Sequence, residues 1–252
     1  MLKRRIMPTL LYKDTTLVKG ICFDSWRRVG SLIQAIKVYN MREVDELVFF
    51  DITASKENRT PDFALIDDFA DECFMPLTVG GGIKTLEDIK NLLSVGADKI
   101  CLNTSAVYNP SLIFSGADKF GSQCIVVSID AKKHPDGNYE VYTHSGTNPT
   151  GKEPVELAKE AERMGAGEIM ITSVDRDGTM LGYDLELIKA ISSNVSIPVI
   201  ASGGAGCYEH MLEAITIAKA DAVAAASIFH FTQQTPKEAK EFLKNNNISV
   251  RL

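Results

Sequence analysis

The amino-acid sequence predicts a (β/α)8 TIM barrel, with residues 1–252 forming one barrel. Three observations carry that reading. Short β-branched runs alternate with longer amphipathic segments from end to end. The chain, at 252 residues, has the usual length of one such barrel. Its second half also echoes its first at a nearly constant spacing.

The elements follow in order. The first strand is expected at 6–12, in the run Ile6-Met7-Pro8-Thr9-Leu10-Leu11-Tyr12, and the second at 47–52, opening Leu47-Val48-Phe49-Phe50. A helical pattern covers 63–73. The third strand, 77–79, runs into a glycine run and then a helix at 85–95, where Leu86, Ile89, Leu92 and Leu93 share one face and Glu87, Asp88 and Lys90 lie mostly elsewhere. The fourth strand is expected at 99–102. The fifth, 124–129, is the run Cys124-Ile125-Val126-Val127-Ser128-Ile129. A helix at 154–164 precedes the sixth strand at 168–172. The seventh, 198–201, leads to a helix at 208–218, and the eighth, 222–226, to one at 236–245. Strands that alternate with helices predict a parallel sheet, and at this length a closed one.

Three pairs of segments carry the internal echo. Val79-Gly80-Gly81-Gly82-Ile83 resembles Ala201-Ser202-Gly203-Gly204-Ala205, and Asp45-Glu46-Leu47-Val48 resembles Gly167-Glu168-Ile169-Met170. Gly96-Ala97-Asp98-Lys99-Ile100 resembles Lys219-Ala220-Asp221-Ala222-Val223. Two half-barrels of four βα units follow, and with them two equivalent ligand corners.

Composition excludes several classes. A formal net charge of −6 argues against general affinity for nucleic acid or anionic membranes, so an anion must be caught locally. Five cysteines without paired spacing (Cys22, Cys73, Cys101, Cys124, Cys207) predict reduced thiols in a cytoplasm. The basic start Met1-Leu2-Lys3-Arg4-Arg5-Ile6 is followed by an apolar run broken at Pro8, Lys13 and Asp14, so no secretion signal is expected. No stretch has the apolar length of a membrane span. His134, His144, His210 and His230 lack metal-type spacing, and no metal or cofactor is predicted.

The glycine runs are the first chemical signal. Gly80-Gly81-Gly82 and Gly203-Gly204-Ala205-Gly206 each follow a strand and precede a helix. A backbone without Cβ atoms lets an anion approach, and the amides beyond it point N–H groups at the ligand. Either run alone also suits a tight turn; their symmetry favours phosphate. Asn103-Thr104-Ser105 and Ala225-Ala226-Ser227 sit beside them and add donors, whether or not they also cap helices. Asp51, Asp130 and Asp177 fall after the second, fifth and sixth strands, on the face where such barrels do chemistry. Asp130 is the best candidate for a general acid or base, since a half-desolvated carboxyl has its pKa moved towards neutrality. An ordinary loop-initiating aspartate is the alternative. Asp175-Arg176-Asp177-Gly178 reads as a turn that presents a carboxylate and amides. Together the predicted phosphate site is Gly81, Gly82, Asn103, Thr104, Asp177, Gly178, Gly203, Gly204, Ala226 and Ser227. At the opposite strand ends lie Arg5, Glu46, Lys99 and Glu168, two bases and two acids able to form a ring; taken alone they read as solvated charges.

With these segments in view, the chain resembles the cyclase subunit of imidazole glycerol phosphate synthase (HisF) over essentially its whole length. The resemblance rests on the run from Glu46 to Ser55, on 78–83, 96–104, Phe120-Gly121-Ser122-Gln123, Ile129-Asp130-Ala131-Lys132, 173–178, 200–206 and Phe229-His230-Phe231. It implies a glutaminase subunit docked at the N-terminal face of the barrel. Ammonia released there travels through the barrel to a bis-phosphorylated ribulosyl aminoimidazole, and two opposed aspartates act as acid and base. Arg5, Glu46, Lys99 and Glu168 then match the ammonia gate, and Asp98 matches an acid facing the partner.

One departure changes the expectation. Where the family pattern reads Cys-Leu-Asp-Val-Lys-Asp-Gly, this chain reads Thr9-Leu10-Leu11-Tyr12-Lys13-Asp14-Thr15, so one of the two acid/base aspartates is Leu11. Asp130 remains. The loop that follows is family-like around Lys19 and Gly20 but carries Arg27-Arg28-Val29-Gly30-Ser31, and two arginines over the site are expected to select a different anion. A complete gate beside an altered cyclase side resembles paralogs that serve surface-polysaccharide synthesis, passing ammonia to a separate ATP-dependent sugar amidotransferase. The rival readings are a working histidine-pathway cyclase, with Asp14 or a water replacing the missing acid, and a non-catalytic scaffold that activates the glutaminase.

Overall fold

Eight parallel strands close on themselves in the computed structural model, which describes residues 3–252; Met1 and Leu2, the start of the basic stretch considered above, lie outside the described residues. The strands are β1 (Arg5–Lys13), β2 (Leu47–Asp51), β3 (Leu77–Gly80), β4 (Lys99–Leu102), β5 (Ile125–Lys133), β6 (Glu168–Ser173), β7 (Val199–Ser202) and β8 (Ala222–Ala225). Each pairs with its sequence neighbours, and β8 returns to β1 through Arg5↔Ala222 and Pro8↔Ala225. The barrel is therefore closed, as the alternating pattern predicts.

Period-two alternation sorts the strand residues into two packings. Ile6, Leu10, Leu47, Phe49, Ile100, Val127, Ile129, Ile169 and Ile171 point outward and bury against the helices. Met7, Val48, Cys101, Val126, Met170, Ile200, Ala222 and Ala224 pack on one another inside the barrel. These buried side chains fill the axis as a layer, so the interior is a packed core between two polar ends.

The helices form where the apolar stripes run. Leu86–Ser94 begins at a capping box in which Thr85 Oγ1 accepts from Asp88 N at 3.1 Å while Asp88 Oδ2 accepts from Thr85 N at 2.9 Å. Pro236–Asn245 starts with the same device, built from Thr235 and Glu238. The expected 63–73 helix ends sooner, at Ala70. Among the described residues no helix is long and apolar enough to cross a membrane.

Two expectations are corrected at the C-terminal rim. The fifth strand does not stop at Ile129: it continues to Lys133 because Tyr139–Thr143 folds back and pairs with it, placing Asp130 inside a ladder opposite Tyr142. The segment after β1 is not a loop but an antiparallel ribbon, Thr16–Ile21 and Asp24–Gly30, whose first strand pairs with Leu11, Tyr12 and Lys13. Its first turn uses Asp14 and Thr15, both at positive φ (46° and 69°). That is the two-residue hairpin pattern that favours Gly, and a β-branched residue fits it poorly. Thr15→Gly is expected to raise stability by about 1 kcal/mol, readable as a higher urea midpoint at unchanged slope.

Candidate functional site

The C-terminal mouth opens into a cavity that is continuous with solvent. All ten residues of the predicted phosphate site line it, as do Asp130 and Leu11. They come together because they lie towards or just beyond the C-terminal ends of β1 and β3 to β8, the end where the loops converge.

Two corners stand out. Gly81, Gly82, Asn103 and Thr104 surround the first, between β3 and β4; Gly203, Gly204, Ala226 and Ser227 surround the second, between β7 and β8. Gly82 has φ 74°, and a Cβ there would meet the Arg59 carbonyl oxygen at 2.7 Å; Gly204 has φ 113°, and a Cβ would run into the Gly182 carbonyl. Neither position tolerates a side chain. Beyond each corner begins a five-residue helix, Thr104–Tyr108 and Ser227–Phe231, whose N-cap residue makes no side-chain capping bond. Free amides and flanking hydroxyls are what an anion uses. The Ser227 hydroxyl is buried and has no partner among the described residues.

The three acids behave differently. Asp51 is consumed by its own loop: Oδ1 accepts from Thr53 N, Thr53 Oγ1 and Ala54 N at 2.9–3.0 Å, and Oδ2 pairs with Arg59 at 3.1 Å. Asp177 forms a buried ion pair with Lys19, which reaches over from the ribbon and is only 2% exposed. Asp130 has neither cation nor backbone amide; Asn103 Nδ2 donates to it at 3.2 Å. Burial, followed by the charge of Asp177, pushes its pKa up to about 7, against a smaller opposing effect of the Ser128 hydroxyl. A carboxyl half-protonated at neutral pH is suited to either direction of proton transfer.

Leu11 occupies the matching inward position on β1. Met7, Thr9 and Leu11 follow one another inward along β1 as Val126, Ser128 and Asp130 do along β5. No second acid replaces it: Asp14 sits exposed in the tight turn and does not line the cavity.

The ribbon covers the mouth and is anchored to the 175–178 turn. Besides Lys19–Asp177, Cys22 N donates to Asp177 O at 2.7 Å, and Gly178 lies so close to the Gly20 carbonyl that a Cβ would clash with it. Besides Lys19, Phe23 and Trp26 of the ribbon line the cavity. The two arginines expected to select an anion do not. Arg27 stacks on Phe231 at 4.3 Å, and Arg28 Nε donates to Thr16 Oγ1 at 3.1 Å. Imidazole His230 is driven neutral by burial, its pKa lowered to about 4, and meets Thr9 O at 3.3 Å.

At the N-terminal floor, Arg5, Glu46, Lys99 and Glu168 form a closed ring. Arg5 contacts Glu46 at 2.7 Å and Glu168 at 3.0 Å; Lys99 contacts the same two at 2.8 and 3.2 Å. Burial would lower the Arg5 pKa, but the two carboxylates outweigh it and the net shift is upward. Thr78 Oγ1 donates to the second oxygen of Glu46. Read from residues alone these were solvated charges; the barrel brings them together across its axis. Asp98 is exposed on the same face, with Oδ2 accepting from Leu77 N at 2.8 Å.

The profile of the family described as histidine biosynthesis protein matches residues 5–235. The chain belongs to that family. The match takes in every residue of the cavity and of the floor ring named above. In this histidine biosynthesis family member, Thr9, Lys19, Ser128, Thr172 and Ser202 line the cavity without having been singled out from sequence. Counting two residues back from Asp130 and from Leu11 would have found Ser128 and Thr9. Nothing local signals Lys19, whose partner is 158 positions away. Among the described residues no three His, Cys, Asp or Glu side chains converge as a metal site.

Proposed function

We propose that this barrel takes up ammonia from a glutaminase subunit docked on its N-terminal face and supports its incorporation into a product. In this reading the ammonia enters through the Arg5–Glu46–Lys99–Glu168 ring and rises along the axis. At the mouth it meets a phosphorylated small molecule held at the glycine corners. The ring is closed and the layer above it is filled, so passage requires side-chain movement at Lys99 or Arg5 and at Met7 or Met170. A small neutral molecule crosses such a layer far more readily than an ion, which the apolar side chains would strip of its hydration.

The observation that carries the reading is Leu11 lining a cavity whose floor ring is complete. Ammonia handling keeps its parts, while proton transfer during ring closure has lost one of two acids. We therefore assign the barrel to amidotransfer in surface-polysaccharide synthesis, the ammonia passing on to an ATP-dependent sugar amidotransferase, and not to imidazole glycerol phosphate formation. The histidine-pathway cyclase is the second reading, favoured by Asp130 with its pKa near 7 and by both glycine corners. A partner assay tests the common part. Adding the barrel to a glutaminase subunit is expected to accelerate glutamine hydrolysis, and a phosphorylated ligand to accelerate it further. Activation indifferent to ligand supports a scaffold instead, and no activation contradicts the partnership.

A further inference from the structure

Thr9 is buried (7% exposed), lines the cavity, and its Oγ1 has no hydrogen-bond partner among the described residues. An orphaned buried hydroxyl is costly and calls for a reason. The comparison with β5 supplies one. There Ser128 stands two residues before Asp130 on the same inward face, and its hydroxyl has a small lowering effect on the Asp130 pKa. On β1 the residue above Thr9 is Leu11, which offers nothing to bond. The second orphaned hydroxyl lining the same cavity belongs to Ser227, just past the end of β8, the strand that pairs with β1 as far as Pro8↔Ala225. The backbone oxygen of Thr9 is already engaged by His230, so the strand is fixed and only the side chain is open. Beneath lies the apolar layer, whose Met7 and Ala224 offer no polar atom to the hydroxyl.

We propose that Thr9 is a specificity-determining residue whose hydroxyl is completed by the bound ligand, which places an uncharged oxygen there with its carbon against Leu11. This rests on the reading that the β7/β8 corner takes a phosphoryl group: a phosphate seated at Ser227 carries its neighbouring hydroxyl or carbonyl towards Thr9. The ligand class is thus a phosphorylated polyol or carbonyl compound, recognised by one anion contact and one neutral contact beside a hydrocarbon face. A ligand that needed a protein carboxylate at this point would find none.

Calorimetric titration of the full chain with inorganic phosphate and with glycerol 3-phosphate tests it. The wild-type chain is expected to prefer glycerol 3-phosphate by about five- to tenfold, the size of one net hydrogen bond. Thr9→Val should remove that preference and leave phosphate affinity unchanged, while Thr9→Ser should keep it. Without ligand, Thr9→Val should raise Tm by about 2–4 °C, because an unmatched polar group is gone. A preference retained in Thr9→Val, or absent from the wild type, overturns the assignment, and a lowered Tm would make the hydroxyl structural. Failure of both probes to bind the wild type overturns the phosphoryl corner itself, and the role of Thr9 with it.

Discussion

Replacing Asp130 by Asn is expected to stabilise the folded chain at pH 8 by up to about 4 kcal/mol and to leave it unchanged near pH 4. The carboxyl is 8% exposed, and burial raises its pKa from the ordinary 3.8 to about 7. In the unfolded chain the group ionises near its ordinary value, so between these pH values the folded state holds the extra proton. Stability relative to the neutral isostere is therefore full below the unfolded pKa and falls as pH rises through the folded one. Asn keeps a carbonyl oxygen for Asn103 Nδ2 and carries no charge to desolvate. Urea unfolding of both forms from pH 4 to pH 8 reads the divergence directly. Parallel curves would mean that the carboxyl is solvated. The same substitution removes the cavity acid held by neither cation nor backbone amide, so the residual turnover of the bis-phosphorylated ribulosyl aminoimidazole, already low beside Leu11, and any turnover regained in Leu11→Asp should both fall by about 10²–10⁴-fold. Stability gained where activity is lost is the mark of a group kept for chemistry.

Glu46→Gln is the second large effect, with the opposite sign. Glu46 is 2% exposed and holds Arg5, Lys99 and Thr78 at once. Gln preserves the shape and an acceptor for Thr78 but leaves two cations to share Glu168. Removing one member of a buried charge set costs roughly 3–5 kcal/mol, and the partial exposure of Arg5 and Lys99 puts this case near the lower end. For a chain of this size that is roughly 6–12 °C in Tm. Combining it with Lys99→Met should recover part of the loss, since the surplus positive charge is gone. If the double variant were no better than the single one, the ring would not be a coupled unit.

The barrel was legible because its strands are short apolar runs with helical stripes between them, and burial on both faces demands such runs. The two ribbons at the rim were not. Thr16–Ile21 is interrupted by Lys19 and Gly20, and its turn is Asp14-Thr15 where hairpins favour Asn-Gly or Asp-Gly. The second ribbon did carry a readable turn, Pro135-Asp136-Gly137-Asn138, between β5 and Tyr139. The glycine corners were legible from spacing, since a backbone that must sit at positive φ against a carbonyl leaves only Gly. The floor ring was legible only through family resemblance, because four charges separated by tens of residues meet nowhere but across a closed barrel. Arg27 and Arg28 misled for a related reason: their number was visible, but Phe231 and Thr16, which hold them away from the cavity, were not.

Turnover of the bis-phosphorylated ribulosyl aminoimidazole with free ammonium, in the wild-type chain and in Leu11→Asp, tests most directly whether the β1 leucine has removed the cyclase step. The expected result is a wild-type rate at least about 100-fold below that of a family cyclase, with a gain of about tenfold or more on restoring the acid opposite Asp130. A wild-type rate within about tenfold of the cyclase, unmoved by Leu11→Asp, would contradict it.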